Sequence, residues 1–297
     1  MFEWGFTLVL ITNGVLIGLM YSLIALGFVL VYKATDAINF AQGEFVMLAG
    51  FIVAGMIVLA GAPFWVGALV CVAAMIAFGF GLERIVLRPL IGRPIIAVIM
   101  ATIGLATVLR GAAPLFFGAE TRALPLPISD EPWILGPISL PPGQVVGALL
   151  SLGFLAAFTW FFLKSRMGVA MRAVADNQQV AMAMGINVER YFALAWAMAG
   201  TVSALGGVIW GSMLGVDVHL ALVGLKVFPV VILGGLDSVL GAVVGGLIIG
   251  LVESLAAGYL DPYVGGGTKD FAPYVVMIIA LMFRPYGIFG TRRIERA

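Results

Sequence analysis

Residues Gly18–Gly50 read GLMYSLIALGFVLVYKATDAINFAQGEFVMLAG. One apolar run ends at Tyr32 and another begins just past Glu44. Between them lie Asp36, Asn39, Gln42 and Glu44, the densest polar cluster in a chain that otherwise avoids polar residues. About 18–20 apolar residues are needed to cross a bilayer as a helix, and the runs on both sides approach or exceed that length. The stretch therefore reads as two spanning helices joined by a polar junction.

The rest of the chain follows the same pattern. Of its 297 residues 62% are hydrophobic and only 10% charged, with a mean hydropathy of +1.14. A soluble domain of this length needs a charged shell that these residues cannot supply. Continuous rather than alternating apolar runs argue against an outer-membrane barrel. The expected fold is all-α: a polytopic integral membrane bundle of about 8–9 transmembrane helices, forming a single domain over 1–297. A net charge of +1 gives no electrostatic case for nucleic acid. The single cysteine, Cys71, excludes an intrachain disulfide. The N-terminus lacks a basic n-region and reads as a retained first span.

Hydropathy places spans near 7–31, 40–60, 63–82, 94–109, 143–163, 191–214, 222–233, 239–257 and 271–284. The segment 222–233 is short, with Lys226 and Pro229, and reads as a tilted span, a half-span or a broken helix. Lys33, Arg84, Arg88, Arg93, Lys164, Arg166, Arg172, Arg190, Arg284, Arg292, Arg293 and Arg296 are 12 of the 16 basic residues. Alternate spans put them on one side, which the positive-inside rule makes cytoplasmic. The N-terminus is then extracytoplasmic, the C-terminus cytoplasmic, and the loop of about 110–142 lies outside. Small residues four apart (Gly14, Gly18, Ser22; Gly207, Gly211, Gly215; Gly241, Gly245; Gly246, Gly250) predict close helix packing.

At the first junction, Asn39 and Gln42 have capping-box spacing, with Glu44 in the first helical turn. This accounts for the residue types locally. A related layout recurs at 228–250, where Gly234 and Gly235 suit a helix end and Asp237 or Ser238 an N-cap. Paired helix breaks can line a transport path. Glu253, well inside a span, predicts a cavity-lining or helix-tethering carboxylate. His219 reads as a surface residue.

The loop of about 164–190 is longer than a connector requires. Its segment up to Gly185 reads as one amphipathic helix, with Ala170, Val174 and Met182 facing the bundle and Arg172, Asp176 and Asn177 facing water. No catalytic constellation and no metal-ligand set is legible, and GGGTKD (265–270) has the wrong order for a phosphate loop. The chain is not expected to be an enzyme or to bind a cofactor, so any ATP it uses must be bound by another chain.

Together GLMYSLIALGFVLVYKATDAINFAQGEFVMLAG, SRMGVAMRAVADNQQVAMAMGINVER, VILGGLDSVLGAVVGGLIIGLVES and FRPYGIFG resemble the permeases of branched-chain amino acid ABC importers, LivH type. The resemblance covers almost the whole chain. It implies a bacterial inner membrane subunit that pairs with a second permease of LivM type. Two cytoplasmic ATPase subunits would power the pair, and a periplasmic binding protein would deliver the amino acid. It also implies a coupling helix at about 168–184, with Arg172, Asp176, Asn177 and Gly185 at the ATPase contact. Asn39, Gln42, Glu44, Asp237, Ser238 and Glu253 are expected near the translocation path. The alternatives are a urea or amide ABC permease, which shares the layout, and an ion-coupled secondary transporter, suggested by the helix breaks and Glu253.

Overall fold

The computed structural model describes residues 4–90, 93–129, 131–136 and 138–291. Arg292, Arg293 and Arg296 lie outside the described residues. All nine expected spans are helical: α1 (Trp4–Thr35), α2 (Gln42–Ala54), α3 (Phe64–Leu82), α4 (Ile95–Phe117), α5 (Pro142–Lys164), α8 (Val188–Leu214), α9 (Leu222–Gly234), α10 (Val239–Tyr259) and α12 (Thr268–Phe283). Short helices α6 (Arg166–Asp176) and α7 (Gln178–Ala183) lie in the long loop, and α11 (Asp261–Val264) precedes α12. Among the described residues seven helices are long and apolar enough to cross a membrane; α2 reaches that length through the π-helical turn Gly55–Leu59, and a second π-helical turn extends α3. The exceptions are α9 and α12, with 13 and 16 residues. At 1.5 Å per residue they are roughly 20 and 24 Å long, short of a ~30 Å hydrocarbon core.

One boundary and one loop depart from expectation. Helix α4 continues past 109 to Phe117 with Pro114 inside it, so Arg110 is helical rather than the first residue of the outer loop. The loop itself contains an antiparallel hairpin, β1 (Trp133–Leu135) with β2 (Ile138–Leu140), that the proline-rich sequence did not suggest.

The chain forms two compact units. The first comprises Met1–Val29, Ile128–Leu152 and Lys226–Ala297. Here α1 lies directly on α10: an added Cβ at Gly14 would stand 2.9 Å from the Gly250 carbonyl, and one at Gly18 2.7 Å from that of Gly246. Ser22 Oγ reaches the Val243 carbonyl at 3.2 Å, and Ser254 Oγ donates to that of Leu10 at 2.7 Å. These glycine faces hold the helices together where lipid supplies no hydrophobic drive. After α12, residues 284–291 turn back onto the end of α9. Ile288 and Phe289 donate backbone N–H groups to the Leu233 and Gly234 carbonyls at 2.8 and 3.0 Å.

The second unit comprises Leu30–Pro127 and Gly153–Leu225. Its centre is α8, packed on α3 through Gly79 and Gly200 and on α2 through Gly207. Gly215 does not extend this stripe: its φ of +81° ends α8. Just beyond it, Val216 and Arg122 exchange backbone hydrogen bonds of 2.8 and 3.0 Å, which tie down the start of the loop between α4 and α5. The π-helical turn Glu83–Leu87 brings Arg88 back over Glu83, because its turns are five residues deep. Arg88 holds Glu83 at 3.0 Å and Glu189, at the start of α8, at 3.1 Å.

Candidate functional site

In the second unit, residues 36–41 between α1 and α2 form a buried polar junction. Asp36 takes a left-handed conformation (φ +56°), which aspartate tolerates better than most residues. The expected capping box does not form. Asn39 Oδ1 accepts from the Ala41 N–H at 3.1 Å, its Nδ2 donates to Gln42 Oε1 at 3.2 Å, and Ala41 is the N-cap, with no side-chain bond. Gln42 Nε2 turns away to Ser203 Oγ on α8, 3.0 Å off. The competing partner is tertiary: a buried amide reaching a hydroxyl on a neighbouring helix replaces the local cap.

This junction lies beside the body of α4. The Phe40 N–H donates to Thr102 Oγ1 at 3.3 Å, and Thr102 is about 10 Å along α4 from its start. Asn39, Gln42 and Glu44 are all buried. Glu44 is not simply a helix-dipole partner. Its carboxylate accepts a hydrogen bond from Arg110 Nη2, forming an ion pair across α2 and α4. The Glu44 side chain is 4% exposed and that of Arg110 is 50% exposed.

In the first unit Ser238, not Asp237, caps α10: its Oγ accepts from the Gly241 N–H at 3.0 Å. Asp237 instead holds Thr291 through backbone N–H and hydroxyl. Gly235, at φ +107°, ends α9 as expected. Glu253 is 8% exposed and accepts from the Tyr21 hydroxyl at 2.7 Å. Lys226 Nζ lies 3.5 Å from Glu253 and 2.8 Å from Asp270. Thus Glu253 tethers α1, α9 and α10, and Lys226 extends the link to α12. Lys226→Met would leave this buried carboxylate with Tyr21 but without its cation. Breaking a buried pair costs about 3–5 kcal/mol, and a third-exposed lysine points to the lower end of that range. We expect lowered thermal stability in detergent for Lys226→Met and substantial recovery in Lys226→Met/Glu253→Gln. Equal stability of the single variant and wild type would remove this tether.

The long loop is two helices rather than one. Asn177 breaks the path with an extended backbone (φ −154°), and its Oδ1 caps α7 through the Val180 N–H at 3.0 Å. The signal was present, since asparagine favours an N-cap. Ser165 and Asn187 cap α6 and α8 in the same way. Met171 and Val174 face inward, but Met182 is exposed, contrary to expectation, because the break turns α7 out of the phase set by α6. Arg172 does not face water: it donates to the Phe162 and Leu163 carbonyls ending α5 and lies over the Phe162 ring at 5.5 Å. Gln178 Nε2 similarly caps α1 through the Ala34 carbonyl at 3.2 Å. Asp176, Asn177 and Gly185 (φ +82°) are exposed, beside an apolar set of Met167, Val169, Val180, Met182 and Met184.

Sequence reasoning missed Arg110, Asp270 and Arg88 as partners. Each acts through a contact set by tertiary packing or by a π-helical turn, and neither shows in apolar periodicity. Among the described residues no group of histidine, cysteine and carboxylate side chains could hold a metal ion.

Residues 10–283 match the family described as branched-chain amino acid transport system / permease component. The high-affinity branched-chain amino acid transport system permease protein LivH of Escherichia coli K12 is 32% identical over 302 aligned residues, covering 96% of each protein. BraD of Pseudomonas aeruginosa, a permease protein of the same description, is 31% identical with the same coverage. The probable branched-chain amino acid transport permease LivH of Methanocaldococcus jannaschii is 28% identical over 90% of this chain and 88% of that one.

Proposed function

Because the chain belongs to the branched-chain amino acid transport permease family, we propose that it forms the translocation path of an ATP-driven importer for branched-chain or related hydrophobic amino acids. It acts as one permease domain in the bacterial inner membrane, N-terminus outside and C-terminus inside. Its partners are a second permease of LivM type, two cytoplasmic ATPase subunits and a periplasmic binding protein that supplies most of the specificity. The chain itself is a transport subunit rather than an enzyme, and its partners bind and hydrolyse the ATP.

The observation carrying this reading is the loop 164–190. Exposed methionines and valines lie beside Asp176, Asn177 and Gly185 on a segment too polar to span, and such a surface fits a groove on another protein. Arg172 fastens this loop to α5 and Gln178 fastens it to α1, next to the buried junction. Movement of a docked ATPase then reaches the helix break at 36–42 through these two contacts. The path opens there by alternating access, with Asn39, Gln42 and Glu44 at one break and Asp237 and Ser238 at the other.

A tagged copy expressed with its neighbouring genes is expected to bring down an ATPase. The assembled complex should accumulate leucine in proteoliposomes only with ATP and loaded binding protein. Accumulation by this chain alone on an ion gradient would replace the importer reading with a secondary transporter. Uptake of urea or short-chain amides in place of leucine would change the substrate class only.

A further inference from the structure

Arg110 lies about 22 Å along a helix of roughly 34 Å, well inside the span. Helix α4 buries only Thr102 and Ala113 within its unit. Its open surface carries Met100, Ile103, Val108 and Leu115, with Gly104 and Gly111, where an added Cβ would meet nothing within 4 Å. A half-exposed guanidinium on such a surface is costly against hydrocarbon, so it marks a water-filled path or a polar partner.

The geometry points to Arg110, held by Glu44, as the residue that receives the carboxylate of the amino acid in transit. This inference rests on the importer reading above. The bond to Glu44 uses Nη2 and anchors that end of the guanidinium. A guanidinium carries five donors in a rigid fork that matches a carboxylate, and Glu44 takes only Nη2 of a side chain that is half exposed. Glu44, almost fully buried, orients the arginine without competing for space in the path. The pair has no net charge, so it recognises an anion without holding it tightly, as a path that must release its cargo requires. A branched aliphatic side chain is served by the adjoining apolar surface. Urea and simple amides lack the carboxylate that Arg110 reads.

A purely structural role for the pair makes a different prediction. If Arg110 and Glu44 only join α2 to α4, replacing both by neutral residues of similar size restores a working protein. The test is leucine uptake by the complete transporter in proteoliposomes, with membrane content and binding-protein-stimulated ATP hydrolysis measured alongside. Arg110→Met/Glu44→Gln is expected to assemble and hydrolyse ATP yet lose about ten- to a hundredfold in uptake, the value of one charge-assisted contact. In a Cys71→Ala background, Arg110→Cys should lose uptake similarly. Its thiol should react with water-soluble methanethiosulfonates, more slowly when leucine is present. The ethylammonium reagent, which restores a cation, should recover part of the uptake, while the sulfonatoethyl reagent should not.

Wild-type uptake by the double variant, or equal effects of the two reagents, would overturn the assignment while leaving the importer reading in place. No leucine uptake by the wild-type complex would overturn this inference, and the importer reading falls with it only if urea and short-chain amides are not taken up either.

Discussion

Deleting residues 170–183 is expected to abolish ATP-driven uptake while the protein stays in the membrane. The deletion removes most of α6 and all of α7. It leaves residues 165–169 and 184–187 to join α5 to α8, about one residue more than the roughly 2–8 that helix connections commonly use and so long enough to bridge them. The spans lose two end caps, those given by Arg172 to α5 and Gln178 to α1. Each net hydrogen bond contributes about 0.5–1.5 kcal/mol, or more when charged. That is small beside the packing of α3, α8 and α2, so membrane content should be retained. What disappears is exposed Val180 and Met182 together with Asp176 and Asn177. Asp176→Lys/Asn177→Ala, which leaves the loop length unchanged, should reduce uptake more than it reduces membrane content. Unchanged uptake after the deletion would show that no partner docks there.

Gly246→Val is expected to remove the folded protein altogether. At this position a Cβ would stand 2.6 Å from the Gly18 carbonyl oxygen and 3.0 Å from the Ser22 amide nitrogen, with Ser22 Oγ closer still. Two of these neighbours are backbone atoms of α1, so relief requires the helices to separate. Separation would also break the Ser22 contact with Val243 and stretch the packing at Gly14 and Gly250. Overpacking alone costs about 1–3 kcal/mol, and the coupled losses take it to a large share of a typical stability of 5–15 kcal/mol. The measurement is the monodisperse peak in detergent chromatography, which should vanish. Gly81→Ala is the control: an added Cβ there meets nothing within 4 Å. Alanine at Gly81 should be neutral or stabilising by up to about 1 kcal/mol through helix propensity. A normal peak for Gly246→Val would refute the close α1–α10 packing.

Much of the helical plan was legible because crossing a bilayer demands long apolar runs, and close packing demands small residues at helical spacing. Gly14 and Gly18 against Gly250 and Gly246 are the clearest case. Polar contacts were less legible. Asn39 and Gln42 had the spacing of a local cap, but Ser203, far along the chain, offered Gln42 a buried partner. Glu44 was read from its own helix turn, whereas its cation lies on α4 in a stretch taken for loop. Lys226 looked like an interruption of a span until Glu253 and Asp270 were seen beside it. Local pattern reports what a residue can do for its own helix; which neighbour it meets is decided by packing.

The turn of residues 284–291 onto α9 has a consequence for biogenesis. A chain made from its N-terminus completes α9 long before Ile288 and Phe289 exist, so the Leu233 and Gly234 carbonyls wait for their partners until α10 and α12 have been made. Thr291 reaches Asp237 later still. The α9–α10 turn is therefore among the last parts of its unit to be finished. A chain interrupted after α12 would hold every span and still present an open helix end to the cell's quality control.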